Sequence, residues 1–134
     1  MRKAFWILVL AVVCSNAAAE WVRLSTVLNG NITYYADPDT ISRNGELAQM
    51  WVLQDYVAAQ SSHQYLSARS QSEYDCKNKN VRPISIAFHS GNMGKGEVID
   101  TVTARDDAWI PVPPNTMFDT LWKLACSKQI GEIF

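Results

Sequence analysis

Histidine and cysteine are scarce in this chain, which holds two of the first and three of the second in 134 residues. Two cysteines beyond position 19 and the scattered His63 and His89 are too few donors for a metal centre, and no Cys-x-x-Cys pair offers redox chemistry. An excess of positive charge is also missing. Beyond position 19 the chain carries ten basic residues against thirteen acidic ones, a net charge of −3, with no basic stripe for a polyanion. That argues against a nucleic-acid partner. Nor does any apolar run reach the roughly 20 residues that a membrane-crossing helix requires.

The longest apolar run is Ala4 to Val13, and Ser15-Asn16 stops it. Arg2 and Lys3 precede it, and Ala17-Ala18-Ala19 supplies the small side chains that a signal peptidase accepts. This is the layout of an export signal over residues 1–19, cleaved after Ala19. Cys14 raises lipid attachment as a second route, but the branched Val13 precedes it where a small residue is wanted. The expectation is a soluble exported protein, periplasmic or displayed or secreted at the cell surface, without a lipid anchor.

Residues 20–134 then form a single domain, large enough for a core and small enough to gain from a covalent staple. Its two remaining cysteines, Cys76 and Cys126, are an even number in an oxidising compartment, which points to a structural disulfide. The bridge closes a loop of about 50 residues and, on the chain-entropy model, contributes ~4 kcal/mol.

Turn signals cut this domain at short intervals. Asn29-Gly30 follows Trp21 to Leu28, Asp37-Pro38-Asp39 follows Ile32 to Ala36, and Asn44-Gly45 precedes Leu47 to Tyr56. Asn-Gly between apolar runs signals a hairpin, because both residues tolerate positive φ. Tyr65 to Cys76 reads as a strand with Leu66, Ala68, Tyr74 and Cys76 on one side and Arg69, Gln71, Glu73 and Asp75 on the wet side. Val81 to Ser90 returns with Ile84, Ile86 and Phe88 inward and Ser85 and His89 outward, and Glu97 to Val102 is a further strand. Period-two patterning of this kind belongs to a half-buried antiparallel sheet. Pro83 cannot donate to a ladder, so its strand is an edge there or pairs only beyond it.

The C-terminal end changes period. Pro113-Pro114 interrupts pairing, and Thr116 with Asp119 resembles a capping box. Phe118, Leu121, Trp122 and Ala125 then recur at helical spacing, up to Cys126. The predicted fold is α+β: an antiparallel sheet of about six strands with one C-terminal helix packed on it, Trp122 against the sheet, and one disulfide.

No catalytic constellation emerges. Gly91 to Gly96 lacks Walker spacing and is followed by a strand pattern, so it reads as a glycine-bearing hairpin. His89 and Ser90 are strand neighbours that face opposite sides and cannot act as base and nucleophile. Acidic positions between Asp37 and Asp100 fall mostly in turns or on wet strand faces. The expectation is a protein that is not an enzyme and needs no metal or other cofactor. The aromatics are the better candidates. Tyr34, Tyr35, Trp51, Tyr56, Tyr65 and Trp109 lie on or beside strands, and exposed aromatics suit a protein-binding surface. Tyr34, Tyr35, Tyr56 and Tyr65 are the candidate partner-binding residues, with Tyr34 and Tyr35 facing opposite sides.

Several segments together resemble the bacterial surface-adhesin protein E family. They are Tyr34-Tyr35-Ala36-Asp37-Pro38 with Ile41, Met50 to Leu53 leading to Asp55-Tyr56, Tyr74-Asp75-Cys76, the Gly94-x-Gly96 turn, Trp109, Pro113-Pro114, and Leu121-Trp122 ending at Cys126. The resemblance implies an extracytoplasmic domain with an antiparallel sheet and a C-terminal helix held by a cysteine pair. It also implies a protein partner, with host extracellular-matrix proteins the class that the family's adhesins bind. The other role open to such a chain is envelope assembly or stress tolerance in the periplasm, with no host partner.

Overall fold

Period-two alternation is realised as one antiparallel meander. The computed structural model describes residues 20–60, 64–104 and 108–127; the segment read as an export signal, with Cys14, lies outside them. The strands are β1 (Val22–Val27), β2 (Ile32–Asn44), β3 (Leu47–Gln60), β4 (Tyr65–Asp75), β5 (Asn80–His89) and β6 (Val98–Thr103), hydrogen-bonded in that order. A two-residue strand, β7 (Ile110–Pro111), also pairs with β5. The helix α1 (Met117–Ser127) follows it and packs on β2, β3 and β4.

Asn44-Gly45 makes the tight reversal between β2 and β3, with Gly45 at φ 64°. Asp37-Pro38-Asp39 does not reverse the chain. It bulges within β2, where the register with β3 shifts between Asp37 and Ser42. Local bonds hold the bulge: the Asp39 N–H donates to Asp37 Oδ1 at 3.2 Å, and the Thr40 hydroxyl to the Asp37 carbonyl at 2.6 Å. Thr40 Oγ1 in turn accepts the Trp51 N–H at 3.0 Å, replacing the missing ladder partner. Pro83 falls between the β5 residues that pair with β7 (Asn80 and Val81) and those that pair with β6 (from Ser85), so β5 is locally an edge there.

One face of the sheet carries the main core: Ala36, Ala48, Met50, Val52 and Tyr74 from the strands, with Leu121 and Ala125 from α1. Burial pushes the Tyr74 phenol far above its ordinary pKa. Cys76 and Cys126 are bonded, with Cα atoms 5.5 Å apart, so the last turn of α1 is tied to the end of β4. Arg43 Nη1 donates to the Cys126 carbonyl at 3.0 Å, placing a cation at the helix C-terminus.

At the other end Thr116 Oγ1 accepts the Asp119 N–H at 3.3 Å. The Asp119 carboxylate reaches back one residue further than in the usual capping box, to the Asn115 N–H at 3.0 Å. That bond, with Lys79 at 3.1 Å, holds the Asp119 pKa below the ordinary carboxylate value. Trp122 packs against the core and donates its indole N–H to the Asp75 carbonyl at 2.9 Å. Phe118 departs from expectation, being 50 % exposed. Leu121 and Ala125 are buried as expected, but the capping Asp119 is buried beside them and partly buried Met117 takes the place expected of Phe118.

Candidate functional site

α1 covers only one end of the face on which it lies. Following the same face along the strands, the residues beyond the helix are Tyr34 and Ile32 on β2, Gln54 and Tyr56 on β3, Ala68 on β4, and Phe88 and Ile86 on β5. Tyr65, at the start of β4, completes the group. Its ring stands edge-on to Tyr56, with centroids 5.5 Å apart, and against Phe88 at 4.5 Å. Such pairs contribute about 0.5–1.5 kcal/mol beyond their burial. Tyr56 is buried and donates its hydroxyl to Gln54 Oε1 at 2.6 Å. Burial, then the neighbouring Tyr65 and Tyr34 phenols, pushes its pKa up to about 12. Tyr34, Tyr65 and Phe88 are half-buried.

Three of the four candidate tyrosines, Tyr34, Tyr56 and Tyr65, therefore share one face. Tyr35 lies on the other, opposite Leu53 on β3. Phe88, read from the sequence as plain core, belongs to the cluster; its register opposite Ala68, two residues from Ile86, was the available signal.

The far face is polar and closed upon itself. Gln71 donates to Gln49 and Gln49 to Glu73, each at 3.3 Å, and Glu73 pairs with Arg82 at 2.6 Å. Arg82 lies 4.3 Å over the Trp109 ring, and Arg69 lies 4.9 Å over Trp51. Glu73, expected in water, is 9 % exposed, because this network surrounds it; with Thr103 it lines a cavity of about 340 Å³. His89, also expected outward, is 6 % exposed, and neither ring nitrogen has a hydrogen-bond partner among the described residues.

The cause is the loop between β5 and β6, which folds back over this face. Ser67, fully buried, donates to the Gly91 carbonyl at 2.6 Å and accepts the Gly94 N–H at 2.9 Å. Asp55 Oδ1 accepts the Met93 N–H at 2.8 Å. Gly94 and Gly96 have positive φ as expected, and so does Met93. Burial, then the Arg69 charge, lowers the His89 pKa from its ordinary value. Ser90 Oγ accepts the Glu97 N–H at 2.9 Å, on the side away from His89.

The sequence profile of surface-adhesin protein E matches residues 21–127. The chain belongs to that family. Solved structures of Haemophilus influenzae protein E share the fold. Crystal form II superposes with a TM-score of 0.56 at 16 % identity, covering 78 % of this chain and 87 % of that one. A selenomethionine form gives 0.55 at 16 % identity, over 78 % and 85 % of the two chains. No curated protein matches the chain by sequence. The sheet, helix and cysteine pair that the resemblance implied are all present here. Among the described residues no helix is long and apolar enough to cross a membrane, and no three His, Cys, Asp or Glu side chains gather as a metal group.

Proposed function

We propose that this chain is an exported, non-enzymatic adhesin-type protein that holds a protein partner, of the extracellular-matrix class, on the open half of its helix-bearing face. One observation carries the reading: the Tyr56–Tyr65–Phe88 ring cluster continues the core beyond the reach of α1, with Tyr34, Tyr65 and Phe88 still partly in water. Rigid aromatic side chains offer large contact area at small entropic cost and are enriched where interfaces concentrate their energy. Tyr35, on the opposite face, takes no part in this contact.

The test has two arms. An antibody should label intact cells, and purified protein should be retained on immobilised extracellular-matrix extract. Tyr65→Ala should weaken that retention about tenfold, as loss of one aromatic anchor does, while still unfolding cooperatively, its two lost ring pairs lowering stability by about 1–3 kcal/mol. Protein confined to the periplasm, or equal retention of the variant, would contradict the reading.

A further inference from the structure

The sheet ends in two outer strands, β1 and β6. β1 is broken by a register shift between Arg23 and Ser25, a common protection against strand addition. β6 carries a shift of its own, between Val98 and Asp100, but pairs with β5 in unbroken register from Asp100 to Thr103, and all six of its residues are exposed. They include Val98, Ile99 and Val102, at 55 %, 37 % and 48 % exposure.

The direction of its free backbone groups follows from one bond. The Ala104 N–H donates to the Ile84 carbonyl at 2.9 Å, so Ile84 and Ala104 form a hydrogen-bonded pair. Pairs alternate in an antiparallel ladder, which makes Val102 with Ile86 and Asp100 with Phe88 the next ones. The N–H and C=O groups of Thr101 and Thr103 therefore point away from β5. The Thr101 N–H has been taken by Asp100 Oδ1 at 2.8 Å. One carboxylate closes the outward donor at the centre of the regularly paired stretch, next to exposed Val102.

We propose that β6 is the docking edge for an extended segment of a partner protein, with Asp100 as its gate. The incoming strand places a basic residue opposite Asp100 and, two positions away on the same face, an apolar residue opposite Val102. A lysine or arginine draws the carboxylate off the Thr101 N–H, which then donates to the partner's carbonyl. Exposed Glu97 beside the strand adds to the preference for positive charge. Because Phe88 and Ile86 stand across from Asp100 and Val102 on β5, the added strand extends the aromatic face laterally. This rests on the protein-binding reading above and supplies its geometry.

Thr101→Pro tests it without disturbing the β5 ladder, since the nitrogen it alters faces outward and an edge tolerates proline there. The probe is a capped peptide of about six residues, a usual strand length, alternating threonine with lysine and valine. It should bind the wild type. Thr101→Pro and Asp100→Lys, at an exposed position, should each weaken binding about tenfold or more, the expected loss for a charge-assisted bond, with melting midpoints confirming folded protein. A glutamate-for-lysine peptide should fail to bind. Equal binding of either peptide, an unaffected Thr101→Pro, or no binding to the wild type would overturn the proposal. So would a wild-type dimer that Thr101→Pro dissociates, since the edge then serves a second copy. Matrix retention lost in Tyr65→Ala but kept in Thr101→Pro would sink the edge and leave the adhesin reading standing. Peptide binding without matrix retention would do the reverse.

Discussion

One sheet face is finished in two ways. At the end where β2 and β3 reverse, α1 lies across Ala48, Met50 and Tyr74, and a disulfide, an Arg43 bond and the Lys79–Asp119 pair fix the helix at both of its ends. At the opposite end the same strands carry Tyr34, Tyr56, Tyr65 and Phe88, with no helix over them. The strands are continuous, so the difference lies in what is laid on them. Covalent and polar fasteners collect where burial alone holds one short helix, while the aromatic end is supported by strand pairing on every side but its surface. Stability and recognition are thereby assigned to different ends of one layer. Changes at the first end should be felt in folding, and those at the second in binding.

The largest effect is expected from the staple. Replacing Cys76 and Cys126 together by serine should lower unfolding free energy by about 2–5 kcal/mol, read from denaturant midpoints. An unchanged midpoint would show that α1 is held by packing alone. Trp122→Ala should follow at about 3 kcal/mol, through lost packing and the abandoned Asp75 carbonyl. Phe118→Ala, on the outer side of the same helix, should move the midpoint by less than about 0.5 kcal/mol. If the two helix variants were equal, the rotation assigned to α1 would be wrong.

A smaller effect separates the faces. The His89 pKa is lowered in the folded chain, so on acidification the unfolded chain binds the proton first. Stability should fall as pH drops below about 6.5, the ordinary histidine value. His89→Gln should flatten that part of the stability–pH profile. Asp119, with its pKa lowered, acts in a more acidic window, and its contribution is lost only as pH falls below the ordinary carboxylate range near about 4.

The sequence carried the sheet well because its signals are local. Asn44-Gly45 needs positive φ wherever it sits, and Ile86 and Phe88 declare a strand face by spacing alone. The cysteine pair followed from parity in an oxidising compartment. The misreadings share a different physics. Asp37-Pro38-Asp39 has the composition of a turn, but Asp and Thr side chains that bond their own backbone stabilise a bulge equally well. Only the resumed pairing at Ser42 decides between them. His89 and Glu73 alternate correctly; they are buried because a loop and a network return from elsewhere in the chain, which no periodicity records. Phe118 was lost by one position, since Met117 takes its place on the side where the capping Asp119 is buried. Tyr34, Tyr56 and Tyr65 were legible as residues, but their assembly on one face needed the register.

The bonds under the β5–β6 loop have a consequence for exchange with solvent. Surface loops ordinarily surrender their amide protons quickly, because nothing but water holds them. Here the amides of Met93 and Gly94 are held by Asp55 and by the buried hydroxyl of Ser67, side chains that belong to β3 and β4. Those two protons can leave only when the loop lifts off the sheet. In a deuterium-exchange experiment this stretch should keep time with the central strands, and the loop counts dynamically as part of the sheet that it covers.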